Sequence, residues 1–160
     1  MAGLISTQNF GRTGQIVNPM WSLKKTSTQS NIAAGTGVVD IEWQTEKFLQ
    51  GGVQQPSATN IVVPLAGIYS IDLQVQFTHF TDDGNYLDLR FIVGSTIYIQ
   101  SFRSEHHQQG NIDTVQSHLL IKLAAQDSIK GAVYIDGGTA DVDIQGGDSG
   151  TYFHGRFLGH

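Results

Sequence analysis

At 160 residues with no cysteine, the chain is long enough for one domain with its own core, and it excludes disulfides, thiol nucleophiles and thiolate metal sites. Its net charge of −5 is split: residues 1–39 carry Arg12, Lys24 and Lys25 and no acid, whereas residues 40–160 hold the other six basic and all fourteen acidic residues, a net of −8. So acidic a body excludes nucleic-acid binding by phosphate neutralisation, and no apolar run approaches the roughly 20 residues of a membrane span.

Residues 1–19 show no periodicity and are rich in Ser, Thr, Gln, Asn and Gly. Leu4, Ile5, Phe10, Ile16 and Val17 are scattered among them with Arg12, more apolar side chains than a pure linker carries. The expectation is an extended arm that orders against a partner, most simply a protein surface with some acidic character. A frayed, solvated terminus is the other reading. No apolar segment of signal-peptide type opens the chain, so the protein is expected to be soluble and either to stay where it is made or to leave by lysis or assembly.

Asn18-Pro19 marks the entrance to a domain over 20–160. A short strand is expected over Met20–Lys25, then a polar loop from Thr26 to Gly37. Val38 to Trp43 alternates, with Val39, Ile41 and Trp43 in phase. Thr45 to Thr59 reads as a long loop. From Asn60 a short apolar run is cut by Pro64, and Gly67 then opens the longest alternating segment of the chain. There Tyr69, Ile71, Leu73, Val75 and Phe77 share one face, and Ser70, Asp72, Gln74 and Gln76 the other. A period of two over nine residues is a half-buried β-strand.

The same pattern continues to the end. Thr81 to Asn85 predicts a hairpin turn leading into a strand over Tyr86–Val93. Gly94-Ser95 predicts a second turn before a strand over Thr96–Phe102. After a polar loop from Arg103 to Asn111 come strands over Ile112–Leu123 and Ser128–Ile135, a short edge segment over Asp141–Ile144, and a last strand over Thr151–Leu158. Eight to ten strands with turn signals every eight to twelve residues, and no helical window, predict an all-β jelly-roll sandwich.

Candidate chemistry is sparse. Asp136, Asp141, Asp143 and Asp148 lie among glycines, but their spacing fits no calcium loop and suits solvated turns. His106-His107 is the one histidine pair, and neighbours on a strand point to opposite faces. No hydrolase elbow, phosphate loop or zinc-ligand spacing occurs. The expectation is a non-enzymatic protein with no cofactor and no metal.

Three stretches together carry a resemblance. Phe48-Leu49-Gln50-Gly51-Gly52 leads through Asn60-Ile61-Val62-Val63-Pro64 to Ala66-Gly67-Ile68-Tyr69; His118 to Leu123 is followed by Asp127-Ser128-Ile129; and Thr151-Tyr152-Phe153-His154-Gly155-Arg156-Phe157-Leu158 closes the chain. Over residues 20–160 this resembles the complement C1q-like family of the tumour-necrosis-factor-like jelly rolls, in the version found in bacteriophage and bacterial proteins. The sequence departs from that family's pattern at Ile61, at Ala125-Gln126 and at Thr151, where phenylalanine, a residue-glycine pair and serine are usual.

The resemblance implies a compact homotrimer built on aromatic and aliphatic residues near a three-fold axis. It points to Tyr69, Phe153 and Phe157 as interface candidates, the other reading being that they fill the subunit core. It also implies a structural role. The expected function is a bacteriophage capsid decoration, or cement, protein on the outer capsid surface of the virion, with the major capsid protein as partner and the arm residues Leu4, Ile5, Phe10, Arg12, Ile16 and Val17 as the grip. The alternative is a receptor-binding tip or fibre component of a phage tail that recognises host glycan or protein. A secreted recognition lectin is a third reading.

Overall fold

The computed structural model describes residues 17–33, 35–78, 86–103, 113–136, 141–147 and 150–160. These form twelve strands and no helix: β1 (Met20–Lys24), β2 (Gln29–Ile32), β3 (Gly37–Asp40), β4 (Thr45–Gln50), β5 (Ile61–Val62), β6 (Gly67–Thr78), β7 (Tyr86–Val93), β8 (Thr96–Arg103), β9 (Asp113–Leu123), β10 (Ser128–Asp136), β11 (Val142–Ile144) and β12 (Tyr152–Gly159). All pairings between them are antiparallel.

The strands divide into two sheets. The first is organised on β6, the long alternating segment. β9 pairs along one edge of it from Gly67↔Leu123 to Phe77↔Asp113. Along the other edge β12 and β11 lie end to end, followed outward by β1 and β2, with β4 beyond β1. The second sheet runs β3-β10-β7-β8, with β5 sharing an edge of β10 with β3.

The alternation explains the layers. Tyr69, Ile71, Leu73, Val75 and Phe77 are fully buried, and they face Leu87, Leu89, Phe91, Ile129, Val133 and Ile135, equally buried on the second sheet. Two inner faces of this kind interdigitate to make the core of a sandwich. An aromatic cluster fills its middle. Phe153 stacks on Trp43 at 5.7 Å and meets Trp21 edge-on at 5.6 Å. Tyr69 meets Phe157 edge-on at 5.3 Å, and its hydroxyl donates to the Leu65 carbonyl at 2.9 Å.

Several expectations change. The stretch Thr26–Gly37 contains β2, and Thr45–Thr59 contains β4, where loops were expected. Both are short or edge strands with mostly exposed side chains, so the apolar phase is faint. Ile41 and Trp43 are buried as expected but lie beyond the end of β3. β11 is no edge: it sits between β2 and β6. The link from β6 to β7 is no hairpin either, because the two strands belong to different sheets. Its turn residues 81–85 lie outside the described residues, as do His79, His106, His107, Gly137-Gly138 and Asp148. The Gly94-Ser95 turn is a true hairpin: Val93 pairs with Thr96, and Gly94 takes φ 57°, the first-position glycine of a type II′ turn.

Of the arm candidates, Leu4, Ile5, Phe10, Arg12 and Ile16 lie outside the described residues. Val17 is half-buried, and Val17–Pro19 run tightly over Gly51, where a Cβ would sit within 3 Å of their backbone. The Pro19 carbonyl accepts from the Phe157 amide at 2.9 Å. The root of the arm is thus pinned beside the C-terminal end of β12.

Candidate functional site

On the outer face of the first sheet polar and apolar side chains gather, and none of the described residues forms a layer over them. Register sets them in rows. One row reads Leu120 on β9, Ser70 on β6, Arg156 on β12 and Met20 on β1. The next reads His118, Asp72, His154, Ser22 and then Phe48 on β4. Two serines among larger neighbours leave a depression. A groove of about 350 Å³ runs over Ser22 and Ser70 and is walled by Met20, Phe48, Asp72, His154 and Arg156.

The polar groups of this face are partly ordered. Ser70 Oγ and His118 Nε2 lie 2.9 Å apart across the β6–β9 pair. His154 stacks on Tyr152, ring centroids 4.4 Å apart. Tyr152 accepts from Gln116 Nε2 at 3.1 Å. Burial, with the Asp72 charge adding to it, pushes the Tyr152 hydroxyl up from its ordinary range. Among the described residues no group of three metal-ligating side chains converges. Ser70 and His118 make a hydrogen-bonded pair on the sheet face.

At one end of the face three aliphatic side chains stand exposed. Ile68, Leu120 and Leu158 are 40%, 60% and 51% exposed. Ile68 pairs with Lys122 and with Gly159, which places Leu120 and Leu158 on either side of it as near neighbours. Exposed apolar side chains brought near one another by register suit a surface that meets a partner.

The three interface candidates of the sequence lie elsewhere than at this surface. Tyr69 and Phe153 have no exposed area at all, so neither has surface to give a neighbour. They fill the subunit core, as the alternative reading had it. Phe157 keeps some exposed area, but its ring is engaged with Tyr69 and lies against Gly67. A signal for the better candidates was present: Ile68, Leu120 and Leu158 are apolar residues standing in the outward phase of strands whose inward phase is already apolar.

Lys25 is the other feature sequence reading passed over. It is fully buried, and its Nζ donates to the Glu42 carbonyl at 3.0 Å and to Gln29 Oε1 at 3.2 Å. Desolvation lowers its pKa to about 8, against an upward pull from Glu42. Gln29 also donates to the Asp40 carbonyl at 3.2 Å, so the cation and the amide together tie β2 to the chain leaving β3.

No family model and no curated protein matches the sequence. Solved structures do. Crystal structures of murine APRIL, a tumour-necrosis-factor-family protein, superpose with TM-scores of 0.61 and 0.62 at 18% identity, covering 88% of this chain and 99% of that one. The globular domain of a zebrafish complement 1qA protein superposes with a TM-score of 0.58 at 13% identity, covering 88% of this chain and 97% of that one. At such identities the likeness speaks to the fold alone. By its two antiparallel sheets, their strand order and these superpositions, the chain has the C1q/TNF-like jelly-roll fold.

Proposed function

We propose that the protein is a non-enzymatic homotrimer that decorates a larger assembly, in the concrete form a capsid decoration protein on the outer surface of a bacteriophage virion, bound to the major capsid protein. The observation that carries this reading is the exposed Ile68–Leu120–Leu158 cluster together with the place where the arm departs. Copies that meet through the cluster bury aliphatic area at about 25 cal/mol per Å². The root of the arm, held by Gly51 and Phe157, lies at the same end of the same sheet. A trimer joined there carries three arms that start close together and point at one target.

Three tethered arms gain strength from effective concentration, so each contact can be modest. The basic, partly apolar segment before residue 20 is suited to a complementary acidic surface, and the acidic body of −8 is suited to none of the nucleic acid inside. Synthesis in the host cytoplasm goes with this role.

The test is co-sedimentation with capsids of the virus that encodes the chain. The full chain should bind, and a variant lacking residues 2–16 should keep its oligomeric mass and lose at least about tenfold in affinity. Residues 17–19 are retained because they pack on the body. Equal binding by the shortened chain, or no binding by the full one, contradicts the reading. Binding of the full chain to host glycans with no affinity for capsids would favour the tail-tip role instead.

A further inference from the structure

A closed ring of three copies repeats one contact three times, and each contact joins two different surfaces of the chain. The Ile68–Leu120–Leu158 cluster is therefore one half of a contact, and the half that receives it lies elsewhere on the subunit. Beside the cluster, on the same face, the sheet is hollow. The groove over Ser22 and Ser70 holds about 350 Å³ between Met20 and Phe48. A cavity of about 150 Å³ takes up benzene, so the groove has room for a leucine side chain. Leu120, the most exposed of the large apolar side chains among the described residues, stands on β9, which pairs only with β6 among the described strands.

Charge sets the direction in which a second copy can lie. Lys122 follows Leu120 by two residues on β9, so both stand on the outer face, and both are exposed. Arg156 and Asp72 wall the groove in neighbouring rows: Arg156 pairs with Ser70, and Asp72 lies two residues further along β6. Among the described residues neither Lys122 nor Asp72 takes an ion pair. A leucine from a neighbouring copy can enter over the two serines with the lysine beyond it directed toward Asp72 or toward Arg156. The first brings opposite charges together and the second brings like charges together, so the first is favoured. Lys24 and Asp143 stand on the same face farther from the Leu120 end, Lys24 paired with Tyr152 and Asp143 with Thr78.

We propose that this groove is the receiving half of the contact between copies: Leu120 of one subunit sits over Ser22 and Ser70 of the next, between Met20 and Phe48, and Lys122 pairs with Asp72 across the boundary. This rests on the trimer reading above and adds the surface that each copy meets. The contact is head-to-tail, and repeated about a three-fold axis it closes on itself.

The experiment is sedimentation equilibrium on the full chain and its variants at neutral pH, with circular dichroism to show that each is folded. Lys122→Asp alone and Asp72→Lys alone should each weaken association at least about tenfold, because each sets like charges face to face. The double variant restores opposite charges and should associate within about threefold of wild type. Ser22→Leu fills the floor of the groove and should weaken association at least about tenfold. If a reversal unfolds the subunit, Lys122→Met, Asp72→Asn and the two together read the same coupling, and purely additive effects overturn the pairing. A double reversal no better than the single ones also overturns the pairing. An unaffected Ser22→Leu overturns the groove as the receiving surface and leaves the trimer standing. A wild-type single subunit overturns the trimer and this contact together.

Discussion

The Trp21 indole lies flat against Gly155, its antiparallel partner on β12, and the space a Cβ would need at Gly155 is already filled by that ring. The same indole meets Phe153 edge-on and tilts against Tyr69, so it cannot retreat without moving the aromatic cluster. Gly155→Ala should therefore cost about 3 kcal/mol or more, at the upper end of overpacking penalties. A urea titration followed by tryptophan fluorescence checks it. A midpoint within experimental error of wild type would show that the core yields there.

Thr151 joins the two halves of one sheet edge. Its hydroxyl donates to the Gln145 carbonyl at 2.7 Å and accepts from the Gln76 amide at 3.1 Å, at the point where β11 gives way to β12 along β6. It is buried, so losing the hydroxyl strands a donor and an acceptor together. Thr151→Val should cost about 2 kcal/mol, while Thr151→Ser keeps both bonds and most of the stability. Thermal unfolding of the pair separates the hydroxyl from the methyl.

Stability should pass through a maximum in alkaline solution. Burial lowers Lys25 to about 8 from an ordinary 10.5, so between those values the unfolded chain holds the proton that the folded chain has released. Stability then rises with pH across that window. Burial raises Tyr69 to about 12 from an ordinary 10.0, so above about 10 the unfolded chain loses a proton that the folded chain keeps, and stability falls. Urea midpoints from about pH 7 to 11 trace the curve. Lys25→Met should flatten the rising limb and Tyr69→Phe should soften the falling one.

Leu120 is 60% exposed, so Leu120→Asp should change the stability of the subunit by less than about 0.5 kcal/mol. It should nevertheless break self-association, since it sets a charge beside Ile68 in the apolar cluster. Sedimentation velocity of wild type and variant at equal concentration gives the answer. An unchanged sedimentation coefficient would place the contact elsewhere.

Much of this architecture is written in the alternation. Strands β6, β7, β9 and β10 each turn one apolar phase into the core, and each was legible to within a residue or two at its ends. What alternation cannot tell is which sheet a strand joins. Asp-Gly between two alternating runs reads as a hairpin, yet β6 and β7 lie in opposite layers. β2 and β4 were missed because Ser30, Asn31 and the exposed Phe48 give no clean apolar phase. The interface candidates erred for a related reason. Size and aromaticity drew attention to Tyr69 and Phe153, but the deepest core positions are also large and aromatic. The phase of Ile68, Leu120 and Leu158 relative to their own strands marks them instead as outward-facing and exposed. Lys25 was invisible, because its place on the strand Met20–Lys25 says nothing of the Gln29 and Glu42 acceptors that fold back around it.

The most direct measurement is the mass of the unmodified full chain in solution at neutral pH, by light scattering behind a sizing column. Three copies meeting through the outer face of the first sheet give about 52 kDa, three times 17.4 kDa. A particle of 17.4 kDa at every concentration would mean that the aliphatic cluster meets no second copy, and would contradict the account.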